Sequence, residues 1–433
     1  MTIDAPALLR ASFDAAVAAA DPLHMLAAHL SPEPRRALVV GAGKAAASMA
    51  LAVERAWPQA ELGGLVITRY AHGLPTQRIE VVEAGHPVPD DAGARAAESI
   101  LERVAQLQAG DLLLALVSGG GSSLLSLPAA GVSMADLKQV TRDLLASGAP
   151  IEQMNVVRKH LSRIAGGRLA AAAVQRGARV LALIVSDVTG DAPADIASGP
   201  CAPDPSTYAD AQAILQRWRV TPPRVIAEHL ARGTHGDIAE TPKPGDALFA
   251  AVDNRVIATA HLSLEAAATV FRSAGVTPVI LGDTVTGEAR EVAKVYAALV
   301  REIRQQRAPH FPFSPPVALI SGGECTVTLP AGMGGSARGG RCSEFLLSLA
   351  VELDGMDGVH ALAADTDGID GSEDNAGALL DPGSVVRAAQ RGVQARAALD
   401  VHDAWGFFDA AGGLIVTGPT RTNVNDYRAI VVI

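Results

Sequence analysis

Aromatic residues, cysteines and long apolar runs are scarce in this sequence of 433 residues, and each shortage argues against a class of protein. The three cysteines (Cys201, Cys325 and Cys342) are odd in number and widely spaced, which fits neither a disulfide framework nor a zinc site. No apolar run approaches the length of a membrane span, and the first residues lack the basic region of a signal peptide. We therefore expect a soluble cytoplasmic protein.

Excess positive charge is also lacking, because the formal net charge is -10. Proteins that bind nucleic acids gain affinity by neutralising phosphates with Lys and Arg, so the charge argues against such a partner. An acidic protein can still bind an anionic metabolite in a local basic pocket. Small molecules are thus the expected partners, rather than a nucleic acid or a membrane, and the oligomeric state, a homo-oligomer included, is left open.

Apolar, strand-like runs alternate with helical patterns along the first half of the chain. Strands are predicted at 37–41, 64–68, 79–83, 111–117 and 179–186, and helices near 46–57, 90–107, 133–147 and 158–175. This alternation predicts βαβ units and a mostly parallel, doubly wound sheet that is covered by helices on both faces. The fold class is therefore α/β.

A polar segment rich in Gly and Pro, residues 233–247, is typical of a linker. Beyond it, strands are predicted at 248–252, 276–281, 317–321, 358–363, 413–417 and 427–433, helices near 254–273 and 285–306, and a proline-rich loop over 305–316. The chain is also too long for one typical domain. We place the two domains at residues 1–240 and 248–433.

Two predicted strands end abruptly in Ser-Gly-Gly, one near residue 118 and the other near residue 321. Glycines at a strand end let backbone amides turn inward and approach an anion closely. Two such ends favour two anion-binding loops, although ordinary strand-to-helix turns show the same pattern. The candidate residues are Ser118, Gly119, Gly120, Gly121 and Ser122 in the first loop and Ser321, Gly322 and Gly323 in the second.

Lys44 lies in Gly-Ala-Gly-Lys at a predicted strand-to-helix junction. The segment lacks the P-loop spacing and partly matches the G-x-G-x-x-A dinucleotide fingerprint, but the strand that should end in an acid ends in Arg69. A lysine at a helix N-terminus adds its charge to the helix dipole, which is unfavourable unless an anion binds there. Lys44 is therefore a candidate anion ligand, and a solvated surface lysine is the alternative.

Acidic loops follow two of the predicted strands, with Asp187 and Asp191 in the first loop and Asp365 and Asp367 in the second. Ligands of parallel sheets bind beyond the carboxyl ends of the strands. A carboxylate there can act as a base, which we assign to Asp187, or hold Mg²⁺, which we assign to the other three. Aspartates that cap turns are the alternative for both loops.

Basic and polar side chains complete the set of candidates. A glycine-dense segment, residues 332–341, ends in Arg341, and arginine binds carboxylates and phosphates bidentately. The segment is either a mobile surface loop or a closing lid. Arg158 belongs to a small basic cluster that could also face solvent, and Asn423 lies in a polar loop between the last two predicted strands.

Taken together, these segments resemble the glycerate 2-kinase family, whose C-terminal region is known as the MOFRL domain. They are spread over nearly the whole chain in the order of the family, and jointly they are specific. The matching stretches are Val40–Ala46, Gly85–Asp90, Leu116–Ser122, Asn155–Ser162, Ser186–Asp191, Ile320–Glu324, Gly339–Arg341, Asp365–Gly371 and Thr417–Asn423.

The resemblance implies a Rossmann-like N-terminal domain, a C-terminal α/β domain and an active site in the cleft between them. It also implies transfer of the ATP γ-phosphoryl group to the 2-hydroxyl of D-glycerate, giving 2-phosphoglycerate, with Mg²⁺. The family's active-site lysine and Gly-Gly-Arg arginine correspond to Lys44 and Arg341. The chain departs from the family pattern at Cys342 and Ser343, where Asn-Gln is usual, and at Arg421, where Gly is usual.

Two other functions stay open on the residues alone. An NAD(P)-dependent hydroxypyruvate reductase is supported by the partial G-x-G-x-x-A pattern and weakened by the missing ribose-binding acid. A sugar-phosphate-binding regulatory module would also use Gly/Ser loops at strand ends. It would not readily explain the acidic loops at Asp187 and Asp365.

Overall fold

The computed structural model describes residues 3–305, 312–330 and 337–433, and these residues form two compact units. The first, here the parallel-sheet unit, is Pro22–Ile257. The second, here the mixed-sheet unit, joins Ala258–Ile433 to the N-terminal segment that ends at Asp21. Within these described ranges, every helix is too short or too polar to span a membrane.

The elements are numbered in chain order. The strands are β1 (Arg36–Ala42), β2 (Glu61–Arg69), β3 (Glu80–Ala84), β4 (Leu112–Val117), β5 (Arg179–Val185), β6 (Val252–Ala258), β7 (Thr277–Gly282), β8 (Gly287–Glu288), β9 (Val317–Ser321), β10 (Cys325–Thr326), β11 (Val359–Asp365), β12 (Gly377–Leu380), β13 (Leu414–Ile415) and β14 (Asp426–Val432). The helices are α1 (Ala5–Ala19), α2 (Pro22–Met25), α3 (Ala46–Ala56), α4 (Asp91–Val104), α5 (Gly121–Leu124), α6 (Met134–Ala146), α7 (Ile151–His160), α8 (Arg168–Val174), α9 (Tyr208–Arg217), α10 (Arg224–Thr234), α11 (Ala260–Ser273), α12 (Ala289–Gln305), α13 (Arg341–Leu353), α14 (Ser384–Gln390), α15 (Ala395–Asp400) and α16 (Ala404–Ala411).

The sheet of the parallel-sheet unit has the strand order β3-β2-β1-β4-β5-β6. β1 pairs in parallel with both β2 and β4, and β3 and β5 extend the parallel sheet on either side. Every residue of β4 is buried, as expected for a central strand covered on both faces. β2 and β3 lie on one side of β1, and the chain then crosses to β4 on the other side. The topological switch point therefore lies between β1 and β4. The predicted doubly wound sheet is confirmed.

The sheet of the mixed-sheet unit has the order β13-β12-β11-β14-β9-β7. Only β7 and β9 pair in parallel among the pairings described for this sheet, and the other neighbours are antiparallel. The central position of β14 explains the apolar run at 429–433, because both faces of this strand are covered. The α/β character of this half is confirmed, with a sheet that is mixed rather than parallel.

The first helix belongs to the mixed-sheet unit rather than to the half of the sequence that contains it. Its apolar stripe, which includes Leu9 and Phe13, is buried with Phe271 of α11 and Tyr427 of β14. The Tyr427 hydroxyl is also 2.8 Å from the Ser12 hydroxyl. The domain predicted at residues 1–240 places this helix with the parallel sheet, because sequence proximity gives no sign of a partner so far along the chain.

The region after the predicted linker also differs from the sequence prediction. Residues 248–252 were predicted as a strand, but Ala247–Ala251 forms a 3₁₀-helix and β6 follows it. β6 is the neighbour of β5 in the sheet, so the segment 233–247 and β6 both lie within the parallel-sheet unit. The predicted boundary between 240 and 248 therefore differs from the division that the structure shows near residue 257.

The predicted helix over 158–175 is interrupted in the structure. α7 ends at His160 and α8 begins at Arg168. Gly166 and Gly167 have φ angles of +60° and +80°, which a continuous right-handed helix cannot accommodate. The interruption separates α7, which carries Arg158, from α8.

Candidate functional site

The loops that follow β1 and β4 interlock at the topological switch point. The Lys44 amide donates to the Gly119 carbonyl at 2.8 Å, and the Ser118 amide donates to the Ala42 carbonyl at 3.1 Å. The Ala45 amide donates to the buried Ser118 hydroxyl at 3.0 Å. These three hydrogen bonds hold the Lys44 loop and the first Ser-Gly-Gly loop against each other at the carboxyl edge of the sheet.

Glycine is required where these two loops touch. Gly43 has a φ of +141°, and a β-carbon added there would lie 2.0 Å from the Ser118 Oγ atom. Gly120, with a φ of +80°, precedes the short helix α5 and packs against the His86 ring. A side chain at Gly43 would force the two loops apart, and one at Gly120 would collide with the His86 ring, so both glycines serve close approach.

Three neighbouring strands carry sequence-predicted residues at the same edge of the sheet. Lys44 follows β1, residues 118–122 follow β4, and Asp187 follows β5. Lys44 and Asp187 are both partly exposed. Asp191 lies four residues further along, with a φ of +53°. The structure therefore brings together the lysine, the glycine-rich loop and one of the two acidic loops.

A cavity of about 400 Å³ adjoins the first Ser-Gly-Gly loop and is lined in part by Ser122, Arg158 and Ser198. The Ser122 and Ser198 hydroxyls are 2.9 Å apart. Burial lowers the pKa of the Arg158 guanidinium, whose one described side-chain partner is the Asn155 amide oxygen at 3.4 Å. No carboxylate in the described part of the chain forms an ion pair with Arg158, so the cavity presents a partly desolvated positive charge.

The rest of the basic cluster is buried rather than solvent-facing. Lys159 and His160 are 3% and 0% exposed. The Lys159 ammonium lies 3.5 Å from Asp204 and 3.6 Å from Asp195, so its charge is compensated inside the unit. Of the sequence cluster, Arg158 is thus the member that faces the cavity.

No sequence motif predicts Ser198 as a residue of the site. It lies in a turn where Ala197, Ser198 and Gly199 all have φ angles between +51° and +59°. For residues other than glycine this conformation costs about 1–3 kcal/mol each, and it persists only where the surroundings enforce it. Here the Gly166 amide donates to the Ser198 carbonyl at 2.9 Å and the Gly167 amide to the Gly199 carbonyl at 2.7 Å. The sequence carries no signal for left-handed alanine and serine residues.

In the mixed-sheet unit, Arg341 lies at the first turn of α13 and contacts three carboxylates. Its Nε donates to Asp426 at 2.7 Å, one Nη to Asp365 at 2.8 Å and the other Nη to Glu324 at 2.8 Å. Burial alone would lower the pKa of Arg341, but the carboxylates of Asp426, Asp365 and Glu324 outweigh burial and raise it. Glu324 and Asp426 were not among the predicted site residues.

The second Ser-Gly-Gly loop is tied to Arg341 through Asp426. The Asp426 amide donates to the Gly323 carbonyl at 3.1 Å, and the Asp426 carboxylate pairs with buried Arg428 at 2.6 Å. Arg428 in turn donates to the Gly322 carbonyl at 2.8 Å. The carbonyls of this loop therefore accept hydrogen bonds from the protein itself.

Ser321 and Asn423 lie in the interior of the same unit. Ser321 is fully buried and accepts a hydrogen bond from the Tyr296 hydroxyl at 2.8 Å. Asn423 is 3% exposed, and its side-chain oxygen accepts a weak bond from the Asn425 amide at 3.4 Å. Their predicted role as ligand donors stays a prediction.

The acidic loop after β11 is largely occupied by internal bonds. One Asp365 oxygen binds Arg341, and the other accepts the Asp367 amide at 3.0 Å. Asp367 accepts the Ile369 amide at 2.9 Å. No group of three or more His, Cys, Asp or Glu residues is arranged to hold a metal ion within the described ranges. The metal role of Asp191, Asp365 and Asp367 stays a prediction.

Arg338, near the end of the glycine-dense segment, stacks on Trp405, with its guanidinium carbon 3.8 Å from the ring centroid. Residues 332–336, on which the lid interpretation depends, lie outside the described residues. The same holds for residues 306–311 of the predicted proline-rich loop.

Asp370 caps the N-terminus of α13. Its carboxylate accepts the Cys342 amide at 3.0 Å, the Ser343 amide at 2.8 Å and the Ser343 hydroxyl at 2.7 Å. These helix donors are therefore used by the protein, and the departure from the family pattern at Ser343 supplies a hydroxyl to the cap. Burial nevertheless raises the pKa of Asp370 to about 6.

The raised pKa predicts a measurable pH dependence of stability. Between about pH 4 and pH 6 the folded state binds the Asp370 proton more tightly than the unfolded state, so this group reduces stability as the pH rises. Relative to an Asp370→Asn variant, the wild type should lose on the order of 1–3 kcal/mol of unfolding free energy between pH 4.5 and pH 7. Urea unfolding of both proteins at both pH values measures this difference. Parallel pH profiles would contradict it.

The fold and the loops at its switch point define a two-unit α/β protein of the doubly wound class, with a MOFRL-type second half. Residues 8–231 match the family described as "Domain of unknown function (DUF4147)", and residues 317–426 match the MOFRL family. The "Glycerate 2-kinase" of Pyrococcus horikoshii is 39% identical over 89% of this chain and 85% of its own length. The chain therefore belongs to the glycerate 2-kinase family.

Two further comparisons extend this result. A crystal structure of a glycerate kinase from Thermotoga maritima has a TM-score of 0.85 and 34% identity, and covers 99% of each chain. The "Putative hydroxypyruvate reductase" of Agrobacterium vitis is 49% identical over 99% of this chain and 95% of its own length. The relatives of this chain are thus named either as glycerate kinases or as a hydroxypyruvate reductase.

Proposed function

We propose that this protein is a glycerate 2-kinase that transfers the γ-phosphoryl group of ATP to the 2-hydroxyl of D-glycerate, giving 2-phosphoglycerate and ADP. The observation that carries the proposal is the interlock of the Lys44 loop with residues 118–122 at the switch point. It presents a cation and a glycine-rich turn side by side, where doubly wound sheets bind their ligands. Glycerate kinases among the relatives support the same activity.

The chemistry of phosphoryl transfer explains why residues of these types are needed. Such transfer needs alignment and charge stabilisation more than covalent chemistry. Lys44 would contact the oxygens of the transferring group, and residues 118–122 would position the phosphates. Asp187, at the end of the adjacent strand β5, would orient the 2-hydroxyl and accept its proton.

Mg²⁺ is expected to enter with ATP, and the loop after β5 is the more suitable place for it. Mg²⁺ keeps several waters and is usually held by one or two carboxylates together with substrate phosphates, so a ready-made cage is not required. Asp191 is a partly exposed carboxylate in the same loop as Asp187. Asp365, in contrast, neutralises Arg341. The bound ion would supply charge neutralisation at the phosphates.

Arg341 is the proposed contribution of the mixed-sheet unit. A guanidinium has five N–H donors, and three of its hydrogen bonds go to the protein's own carboxylates. With its side chain 24% exposed, Arg341 retains donors for a carboxylate or phosphoryl oxygen. The prediction of a single site shared by both domains stays a prediction.

A hydroxypyruvate reductase is the second candidate, because a relative at 49% identity carries that name. Dinucleotide-binding sheets usually place an acid at the end of the second strand, where it binds the ribose. Here β2 ends in Arg69, which would instead suit a phosphate. The 2′-phosphate of NADP would be such a phosphate, so the kinase is favoured by the Lys44 interlock and by the glycerate kinases among the relatives rather than by Arg69.

Incubation with ATP, Mg²⁺ and D-glycerate, followed by phosphorus NMR, tests the proposal. We expect a new resonance of 2-phosphoglycerate and an equal amount of ADP. L-glycerate serves as the stereochemical control. A 3-phosphate product would contradict the position of transfer, and oxidation of NADH by hydroxypyruvate without any phosphorylated product would replace the kinase by the reductase.

A further inference from the structure

The cavity beside Arg158, here the α6–α7 cavity, is larger than a three-carbon hydroxy acid requires. Its volume of about 400 Å³ lies in the range of sites that bind drug-sized ligands. It is bounded by the first Ser-Gly-Gly loop, by α6, by α7 from Ile151 to Arg158 and by the strained turn at Ser198. A glycerate molecule would leave most of this volume empty.

The two ends of the α6–α7 cavity differ in chemistry. Ser122, Ser198 and Arg158 form a polar end next to the glycine-rich loop. The remainder is lined mainly by aliphatic side chains, and its rim includes the exposed residues Leu145 (68%) and Ile151 (52%). The cavity therefore suits a ligand with a charged end and a broad apolar body.

The charge of the lining indicates an anion. Three cationic side chains, Lys138, Arg142 and Arg158, line the α6–α7 cavity, and none of its lining residues is acidic. This is notable in a protein whose formal net charge is -10. The lining also offers no carboxylate to accept hydrogen bonds from a base such as guanine, which donates through its ring N–H and amino group.

We propose that the α6–α7 cavity binds the adenosine part of ATP, with the phosphates directed along residues 118–122 toward Lys44. The inference rests on the proposed kinase function and names the place of its donor substrate. The geometry supports this direction, because Ser122 lines the cavity while Gly119 of the same loop bonds to Lys44. The first Ser-Gly-Gly loop would then be the one that meets ATP.

Two acidic substitutions at the rim test the inference in the full-length protein. Leu145→Glu and Ile151→Glu each place a negative charge at the mouth of the α6–α7 cavity. Both residues are exposed, so folding should tolerate the changes. Ile151 is also the first residue of α7, where an acidic side chain favours the helix. Val295→Glu, at a residue that is 61% exposed in the mixed-sheet unit, is the matched control.

The readouts are ADP binding by isothermal titration calorimetry without glycerate, and the KM values for ATP and D-glycerate. We expect each rim variant to bind ADP at least tenfold more weakly and to raise the KM for ATP by a similar factor. The KM for glycerate and the kcat should stay within about twofold of the wild type, and Val295→Glu should change none of these values.

Three results would overturn the inference. Wild-type ADP affinity in both rim variants would place the nucleotide elsewhere, and a raised KM for glycerate alone would assign the cavity to the acceptor. Absence of ADP binding to the wild type would also overturn it. The proposed function is judged separately, by whether the wild type produces 2-phosphoglycerate from ATP and D-glycerate.

Discussion

Replacing Lys44 with Met is expected to lower the kcat for glycerate phosphorylation by about 10³-fold, the size of loss seen when one charge-stabilising donor is removed from a transition state. Lys44 is partly exposed and its backbone, not its side chain, carries the interlock with Gly119. The fold should therefore survive the change. Steady-state kinetics together with a urea unfolding curve measure both effects.

The matched control for this variant is Lys294→Met. Lys294 is an exposed lysine on α12 whose ammonium pairs with Glu291 at 2.7 Å. It should keep the kcat of the wild type. If Lys44→Met also keeps kcat within threefold of the wild type, the lysine has no part in phosphoryl transfer and its proposed contact with the transferring group is wrong.

Replacing Arg341 with Met is expected to lower the unfolding free energy by about 3–5 kcal/mol, the usual cost of removing one partner from a buried ion pair. Two of its three carboxylates, Asp365 and Asp426, are 5% and 0% exposed and would lose a principal cation. Glu324 is half exposed and should contribute little. Urea unfolding at pH 7 measures the loss.

Arg301→Met is the matched control for this loss of stability. Arg301 is an arginine of the same unit, but its side chain is 38% exposed and pairs with one partly exposed carboxylate, Glu352. Its replacement should cost no more than about 1 kcal/mol. Equal losses in the two variants would show that the three carboxylates do not depend on Arg341. Arg341→Lys should recover only part of the stability, since one ammonium cannot match the planar fork.

Much of the sheet architecture is readable from the sequence because buried parallel strands are continuous apolar runs. β1, β4 and β5 were predicted almost to the residue, and their alternation with helices implied the doubly wound class. The strand predicted at 248–252 is displaced for a different reason. Its neighbour β6 is specified by pairing with β5, which is a tertiary contact that a local pattern does not contain.

The candidate site also contains some residues that the sequence predicts and others that it does not. Lys44, Ser118 and Asp187 stand directly after strands, where position alone suggests a ligand. Ser198 and Asp426 could not be found by that rule. Ser198 faces the α6–α7 cavity only because a turn holds it at positive φ, and Asp426 meets Arg341 across 85 residues of chain. Such residues are fixed by packing rather than by motif.

The placement of α1 has a consequence for how the chain matures during synthesis. The parallel-sheet unit is an insertion between α1 and the remainder of the mixed-sheet unit. α1 leaves the ribosome before any of its partners, and β14, which stands between β11 and β9, leaves after them. The inserted unit can thus fold while the other is still incomplete. The apolar face of α1 lacks its packing partners through that interval, and an N-terminal truncation that removed α1 would expose the apolar surface that it covers on the mixed-sheet unit.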